Sequence, residues 1–572
     1  MVPAAVVLAA LFLARADAPV LEVREAFWGF DGKVVPGEFN PVSIRIANAG
    51  SVPFDGVLRL GQRLYGNTRI GAEILLPCYL SPGTERWIQF HPFVMEPDDP
   101  WILAWKGGNA EMPRPAPGPP GFVFLSEPDN PLALPRALRP FPANLFPTTV
   151  SATSGLRGVA LDRVPRLDPA ARLAFLDWFR GGGEVHLLKG DDGRHPAFPA
   201  EFAPLRDPRQ AGAGRLFRHE QTRREATEKG LTGKEMRARP KDERGGREGD
   251  PFSSFFESLS RLVTPRHDWT LIYILAIAYL LLAGPAHFLL ARRVRNYRLV
   301  LLAVFGTVGL FAFLFYLVGR RGYDEATTVH SVSYARSLAP GEWDAIQWKH
   351  VFVVKGDIYG IRHPGPHHLY AFPERIDSVP GAIRVGADSG IDVDIPLYSS
   401  RAFLHRGKMQ GPDLGVRIVN WGKAASPEGL ALETGPGFPA GSVEAWAFRG
   451  GAGGTLRREG NRLLAGDLSG KWNSPEEDDE YRYRGYNRHY GDEVPGPALT
   501  LHVANQCLGI LKRRVAEIPE LPGGPLFGLA APVDSLHVLV WAEAPASFGL
   551  QSNGLGRERG FVLYHQIFRK PE

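Results

Sequence analysis

The sequence predicts a multidomain chain: a β-sandwich, then an α/β domain, then two transmembrane helices, then a second β-sandwich-like domain. Three observations predict it. Short, partly alternating apolar runs broken by Gly, Pro, Asn and Asp fill residues 19–112 and 327–572, the pattern of strands with one solvated face. A strand, a helix, a glycine stop and a further strand follow one another within residues 121–220, the order of a βαβ unit. Two long runs without Asp, Glu, Lys or Arg lie at 269–290 and 299–318, each long enough for a helix across a bilayer.

Bulk composition agrees with this division. A chain of 572 residues exceeds one core, and its length suggests about three or four folding units. The 65 glycines and 50 prolines favour many short strands and turns over long helical bundles. A net charge of +5, from 66 basic and 61 acidic residues, argues against nucleic acid as a partner. The two cysteines, Cys78 and Cys507, exclude a disulfide framework and leave either one long-range bridge or two buried thiols.

The first 18 residues read as a signal peptide. Val2 to Ala14 are almost wholly apolar, and Ala16-Asp17-Ala18 supplies a small-x-small cleavage signal. No Lys or Arg precedes the apolar stretch, so an uncleaved anchor is the alternative. Between the two later spans, the turn 291–298 carries Arg292, Arg293, Arg295 and Arg298. Positive charge resists translocation, so this turn is expected to face the cytoplasm, although Arg266, Arg320 and Arg321 weaken the contrast. Trp269, Tyr297 and Tyr316 stand near span ends, where aromatic rings favour the interface. His287 lies inside the first span beside Gly284-Pro285, which is expected to bend the helix. Its expected role is structural, packed neutral against the second helix or reaching the headgroups.

Before the membrane, LEVREAFWGF, PVSIRIANAG, FDGVLRL, AEILLPCYL and RWIQFHPFVM supply the strands of the first sandwich. The proline-rich stretch 113–121 marks its boundary. GFVFLSE, GVALDRV and EVHLLKG are the expected strands of the α/β domain. Asp168 and Pro169 open its helix, and Gly181 to Gly183 close it. Residues 221–250 mix both charge signs without apolar periodicity and read as a charged, flexible linker. Residues 251–264 place Phe252, Phe255, Phe256, Leu259 and Leu262 at helical spacing, expected as an interfacial helix leading into the membrane.

Two of these stretches carry a resemblance. GVALDRVPRLDPAARLAFLDWFRGGGEVHLL resembles the class I glutamine-amidotransferase-like module of uncharacterised bacterial membrane proteins. YLLLAGPAHFLLARR is similar to the first membrane helix of the same group. In that group the module follows an immunoglobulin-like domain and precedes a transmembrane hairpin and a β-rich C-terminal domain, and PVSIRIANAGSVPFDGVLRL resembles bacterial immunoglobulin-like modules. The signal peptide and the arginine-bearing turn together give the expected location, a bacterial cytoplasmic (inner) membrane with the large domains extracytoplasmic.

The corresponding chemistry needs a cysteine at a strand-to-helix turn and a histidine to activate it. Residues 121–220 contain no cysteine, so His186, His195 and His219 have no thiol to serve, and no Gly-x-Ser-x-Gly elbow appears. Asp162, towards the end of the second strand, stands where open α/β sheets bind ligands, or is a solvated carboxylate.

After the membrane, strands are expected in TTVHSVSYARSL, AIQWKHVFVVKG, GVRIVNWG, SVEAWAFRG, ALTLHVANQCLGIL, DSLHVLVWAEA and FVLYHQIFRK. Three features there have chemical potential. His363, His367 and His368 form a histidine loop that could ligate zinc. Residues 476–492 combine carboxylates with Tyr481, Tyr483, Tyr486 and Tyr490, either a recognition loop or a self-paired hairpin. Asp392 and Asp394 fall on one strand face without an acid/base partner.

No catalytic, cofactor-binding or metal-ligating residue is assigned from the sequence. The expected function is a non-enzymatic, membrane-anchored envelope protein, a scaffold or binding component that partners the lipid bilayer and unidentified envelope proteins. A hydrolase or amidotransferase-like enzyme with an unrecognised site, and an accessory subunit of a transport complex, are the alternatives.

Overall fold

The computed structural model describes residues 19–63, 69–95, 99–127, 137–207, 212–232, 251–263, 269–323, 327–372, 381–386, 389–423, 428–441, 443–449, 452–465, 496–516, 535–551, 554–556 and 558–569. The expected signal peptide, residues 233–250 of the expected linker and the tyrosine-rich stretch 476–492 lie outside them. The described chain is mostly β, with several sheets and two long apolar helices.

Alternation along Val42–Asn48 buries Val42, Ile44 and Ile46 on one face. That strand pairs with Leu21–Trp28 and Glu85–Phe90 in a three-stranded antiparallel sheet. Its apolar face meets Leu58, Leu60 and Ile74 of a second sheet across a shared core, a sandwich-like arrangement. The second sheet has seven strands, and three of them come from beyond the apolar helices. Gly381–Arg384 joins Arg69–Leu80 in parallel, with Ala382 opposite Glu73 and Ile383 opposite Ile74. Gly390–Ile395 and Asp357–Arg362 continue the sheet. The boundary expected at residue 327 therefore does not separate two cores. Ile383, Ile391 and Val393 complete the first one, because their alternation fits its open edge as well as it would fit a new sheet.

Residues 121–222 form the parallel five-stranded sheet that the βαβ pattern predicts, in the spatial order Arg139–Pro142, Gly121–Ser126, Leu156–Leu161, Glu184–Lys189, Arg215–Thr222. The helix Pro169–Arg180 buries Phe175, Trp178 and Phe179 against it. Gly182 ends the helix at φ 121°, a conformation that favours glycine. The expected linker starts later than the charge pattern suggests. Arg223, Ala226 and Leu231 are buried, the latter two against Phe122, Phe124 and Leu188 of this domain.

Most of the remaining chain builds an eleven-stranded sheet, antiparallel except where Thr328–Ala339 runs parallel to Glu558–Phe568. One face carries Val332, Trp348, Leu404 and Leu563 and is covered by two helices, Pro251–Val263 and Gly496–Ala516. Both helices correct expectations. Pro251–Val263 is not an interfacial helix: Phe255 and Leu259 are buried, with the Phe255 ring stacked on Trp348 at 4.2 Å. An amphipathic stripe needs an apolar partner, and its spacing does not say whether that partner is lipid or a sheet. Gly496–Ala516 replaces the strand expected in ALTLHVANQCLGIL. Val503, Ala504, Cys507, Leu508, Leu511 and Val515 are buried at helical spacing, and the short alternation in TLHVANQ is incidental to it. Cys507 and Cys78 are both buried and unbridged.

The two apolar helices cover Thr270–Arg293 and Tyr297–Val318, 24 and 22 residues, long and apolar enough to cross a membrane. Within these two spans Phe311 alone is buried. Pro285 cannot donate a backbone hydrogen bond, and the first helix accommodates it with a π turn at Leu282–Ala286.

Candidate functional site

Successive strand residues point to opposite faces, and this rule rearranges the histidine loop. Strand His367–Phe372 pairs with Ser399–Gln410, placing His367 opposite Gly407 and Leu369 opposite His405. His367 and His405 thus share one face of the eleven-stranded sheet, and His363 joins them from the preceding turn. The His363 and His405 rings stack at 3.6 Å between centroids, with His367 at 4.6 Å from His405. A Cβ at Gly407 would collide with His367 Nδ1, so the imidazole occupies the space that a side chain would take. His368 goes to the other face, where its Nε2 lies 2.7 Å from Thr149 Oγ1 and its ring packs on His91 and Phe39.

The histidine trio belongs to a buried polar strip between apolar clusters. Ser333, Gln347 and His405 stand in register on three adjacent strands. Gln347 Nε2 donates to Ser333 Oγ at 2.9 Å, and its Oε1 accepts from His405 Nδ1 at 3.2 Å. His367 Nε2 donates to the Pro364 carbonyl at 2.6 Å. Lys349 donates to the Phe548 carbonyl at 2.9 Å and pairs with Glu558. Among the described residues, His363 Nε2, His367 Nδ1 and His405 Nε2 have no hydrogen-bond partner. Burial holds His363 and His405 well below the usual imidazole range and lowers His367, so the trio is neutral at neutral pH. The nearly parallel His363 and His405 rings lie side by side instead of converging on one point. Among the described residues, no group of three His, Cys, Asp or Glu is disposed to hold a metal ion.

On the opposite face a second polar line is buried. Tyr334 Oη lies 2.6 Å from His565 Nδ1, and His565 Nε2 lies 2.9 Å from His537 Nδ1. Sequence reasoning missed His405, His537 and His565. Each sits alone in its strand, and only register brings them to partners.

Asp162 is neither a vacant ligand site nor solvated. Its side chain is 1% exposed, and its oxygens meet Arg223 at 2.5 Å and Arg163 at 3.0 Å. Arg223 also holds Asp191 at 2.6 Å, so an ion cluster lies at the carboxyl ends of the strands Leu156–Leu161 and Glu184–Lys189. His186 Nδ1 lies 2.9 Å from His219 Nε2, between the Phe122 and Phe217 rings. His195 is within 4.0 Å of Glu220. Asp392 and Asp394 do share the solvated face of their strand, and Asp392 pairs with Arg384 and, at 3.6 Å, with Arg362. His287 contacts the Leu282 carbonyl through Nδ1 and lies 3.4 Å from Thr307 Oγ1 on the second apolar helix through Nε2, packing the helices together.

A third buried group joins the regions of the chain. Arg406 reaches Glu38 at 2.9 Å, Asp344 at 2.9 Å and Ser154. Lys408 pairs with Asp177 at 2.9 Å and Glu342 at 2.8 Å, and Arg336 donates to the Gly181 carbonyl at 2.7 Å. These contacts tie the sandwich, the α/β domain and the large sheet to one another.

No family model matches the sequence. No curated protein matches it either. Among solved structures, a cycloisomaltooligosaccharide glucanotransferase from Paenibacillus sp. is 11% identical over 24% of this chain and 20% of that chain, with a TM-score of 0.15. Beta-glucosidase D2-BGL from Chaetomella raphigera is 12% identical over 17% of this chain and 19% of that chain, with a TM-score of 0.13. The chain spans about one fifth of the length of either protein, and a likeness this slight carries no argument about fold or activity.

Proposed function

We propose that the chain is a membrane-anchored scaffold of the bacterial envelope, non-enzymatic, with its large domains outside the cytoplasm and available to protein partners. The pairing of Gly381–Arg384 with Arg69–Leu80 carries this reading. Strands from either side of the two apolar helices share one sheet, so both flanks belong on one side of a bilayer. The helices then cross as a hairpin, and its turn, with Arg295 between the helices and Arg292, Arg293 and Arg298 on the adjoining helix ends, faces the other compartment, the cytoplasm by its charge. The non-enzymatic part rests on where the titratable groups are spent: Asp162, Arg223, Lys349, Glu38 and Arg406 are buried in pairs with one another or with neighbours. The N-terminal sandwich is proposed as immunoglobulin-like and the parallel domain as an amidotransferase-like fold without its nucleophile.

Labelling with a membrane-impermeant maleimide tests the topology. Both native thiols are buried, so background is low. In intact spheroplasts, Val57→Cys and Val419→Cys are expected to label and Val294→Cys only after permeabilisation. The reverse pattern would contradict the sidedness. Photo-crosslinking from Tyr79, 56% exposed, in native membranes tests the scaffold role together with neighbouring surface positions. Discrete protein adducts support it, and their absence from every position tried contradicts it.

A further inference from the structure

Where the strands Glu342–Val353 and Ser399–Gln410 of the large sheet connect to the seven-stranded sheet, two adjoining turns and the start of the strand Asp357–Arg362 expose apolar side chains. Ile358 is 71% exposed, Leu397 59% and Tyr398 41%. A Cβ on Gly356 would lie 2.9 Å from the Leu397 backbone nitrogen, so the turns abut. They are also built rigidly: Tyr359 Oη donates to the Lys355 carbonyl at 2.6 Å, and Ser399 Oγ donates to the Pro396 carbonyl at 2.8 Å. Tyr398 has φ 51°, the one positive value outside glycine among the described residues, a conformation that must be held by its surroundings.

Register says where this apolar tip lies. Thr328, which opens the first strand after the second apolar helix, stands opposite Phe352, and Val353 stands opposite Ser399. The Val354 amide donates to Thr327 Oγ1 at 3.4 Å. The turns thus extend from the edge where the chain leaves the helix Tyr297–Tyr323. Four residue steps separate Tyr323 from Thr327, a span of at most about 14 Å.

We infer that this tip seats Ile358, Leu397 and Tyr398 in the lipid interface beside the hairpin, with the bilayer as its partner. The inference rests on the anchoring proposed above. An aromatic ring with aliphatic neighbours suits the headgroup boundary, and exposed Lys355 can extend its ammonium to the headgroups. Exposed Asp357 and Asp394 offset that charge, so the seat is apolar and does not depend on anionic lipid. It gives the anchored body a second point of contact and a fixed tilt.

Full-length protein with an environment-sensitive fluorophore at Leu397→Cys, reconstituted in phosphatidylcholine vesicles, tests this. Emission is expected to shift to the blue and to be quenched by lipid carrying a nitroxide near the headgroup, with Ile358→Cys behaving alike. A label at Val419→Cys, on the edge strand Arg417–Trp421 of the eleven-stranded sheet, is expected to remain unquenched. A label at Phe305→Cys, within the second apolar helix, is expected to be quenched by a nitroxide near the bilayer centre. Quenching at Phe305→Cys without quenching at either tip position overturns the tip contact and leaves the anchor standing. Loss of quenching at Phe305→Cys overturns the anchor itself. A tip signal that fades on dilution of protein in lipid marks contact between copies and also overturns the proposal.

Discussion

The guanidinium of Arg406 meets the carboxyl group of Glu38 at 2.9 Å across 368 positions of sequence. The same guanidinium holds Asp344 at 2.9 Å and reaches Ser154. One side chain on the strand Ser399–Gln410 therefore touches the N-terminal region through its short sheet Glu38–Phe39 with Phe93–Val94, the α/β domain and its own sheet. Buried charge is tolerated only when paired and hydrogen-bonded, so this contact fixes how three regions meet.

Replacing Arg406 by Met leaves Asp344 and Glu38 without their cation. The expected cost is about 3–5 kcal/mol, read as a lower urea midpoint for the detergent-solubilised full chain. Burial pushes the Glu38 carboxyl up to about 7, so its neutral form is within reach. Glu38→Gln is accordingly expected to cost less than Arg406→Met. Equal losses would show that the Glu38 charge is needed in full.

Phe255→Ala separates the packed helix from an interfacial one. Against Trp348 and the large sheet it opens a cavity, with an expected loss of about 3–5 kcal/mol in the same unfolding measurement. An unchanged midpoint would return the helix Pro251–Val263 to the lipid surface.

Stability is expected to fall as the medium is acidified below about pH 6.5. Burial lowers His91 and His330 to about 4 and His537 to about 3. The unfolded chain takes up these protons near its ordinary imidazole value, and the folded chain does not until the lower values are reached. The unfolded state therefore binds more protons in that window, and stability drops with pH by up to about 1.4 kcal/mol per unit for each such histidine. Glu38 works the other way, since its raised value adds stability as pH falls from about 7, but it is one group against several. Melting temperatures at about pH 7.5 and about pH 5 check the sign.

The thiols are expected to be inert in the native protein. Burial pushes Cys507 up to about 12 and raises Cys78. A maleimide is expected to label neither until denaturant is added, and then both. Native labelling of Cys507 would mean that the two covering helices do not pack as described.

Much of this was legible from local pattern. Pro169 and the Gly181–Gly183 stop bracket the helix of the parallel sheet, and the two uncharged runs coincide with the long apolar helices. What local pattern lacks is the identity of the partner surface. Ile383 and Ile391 carry the alternation of any half-buried strand, and nothing nearby in sequence shows that their sheet begins at Phe54. Phe255 shows an apolar stripe without its counterpart, and Val503 to Leu511 satisfy both a short alternation and a helical period. At the histidines, neighbours in sequence part company: His367 and His368 face opposite ways, and His405 completes the trio through register alone.

The pairing across the apolar helices is the claim on which the rest depends. Cysteines at its register partners, Glu73→Cys and Ala382→Cys, in a chain with Cys78→Ala and Cys507→Ala, test it in native membranes. Mild oxidation is expected to close an intrachain disulfide, seen as a compact monomer band, while Glu73→Cys with Val419→Cys closes none. If both thiols of the first pair accept a maleimide but never join within one chain, the shared sheet, and the single body built on it, are contradicted.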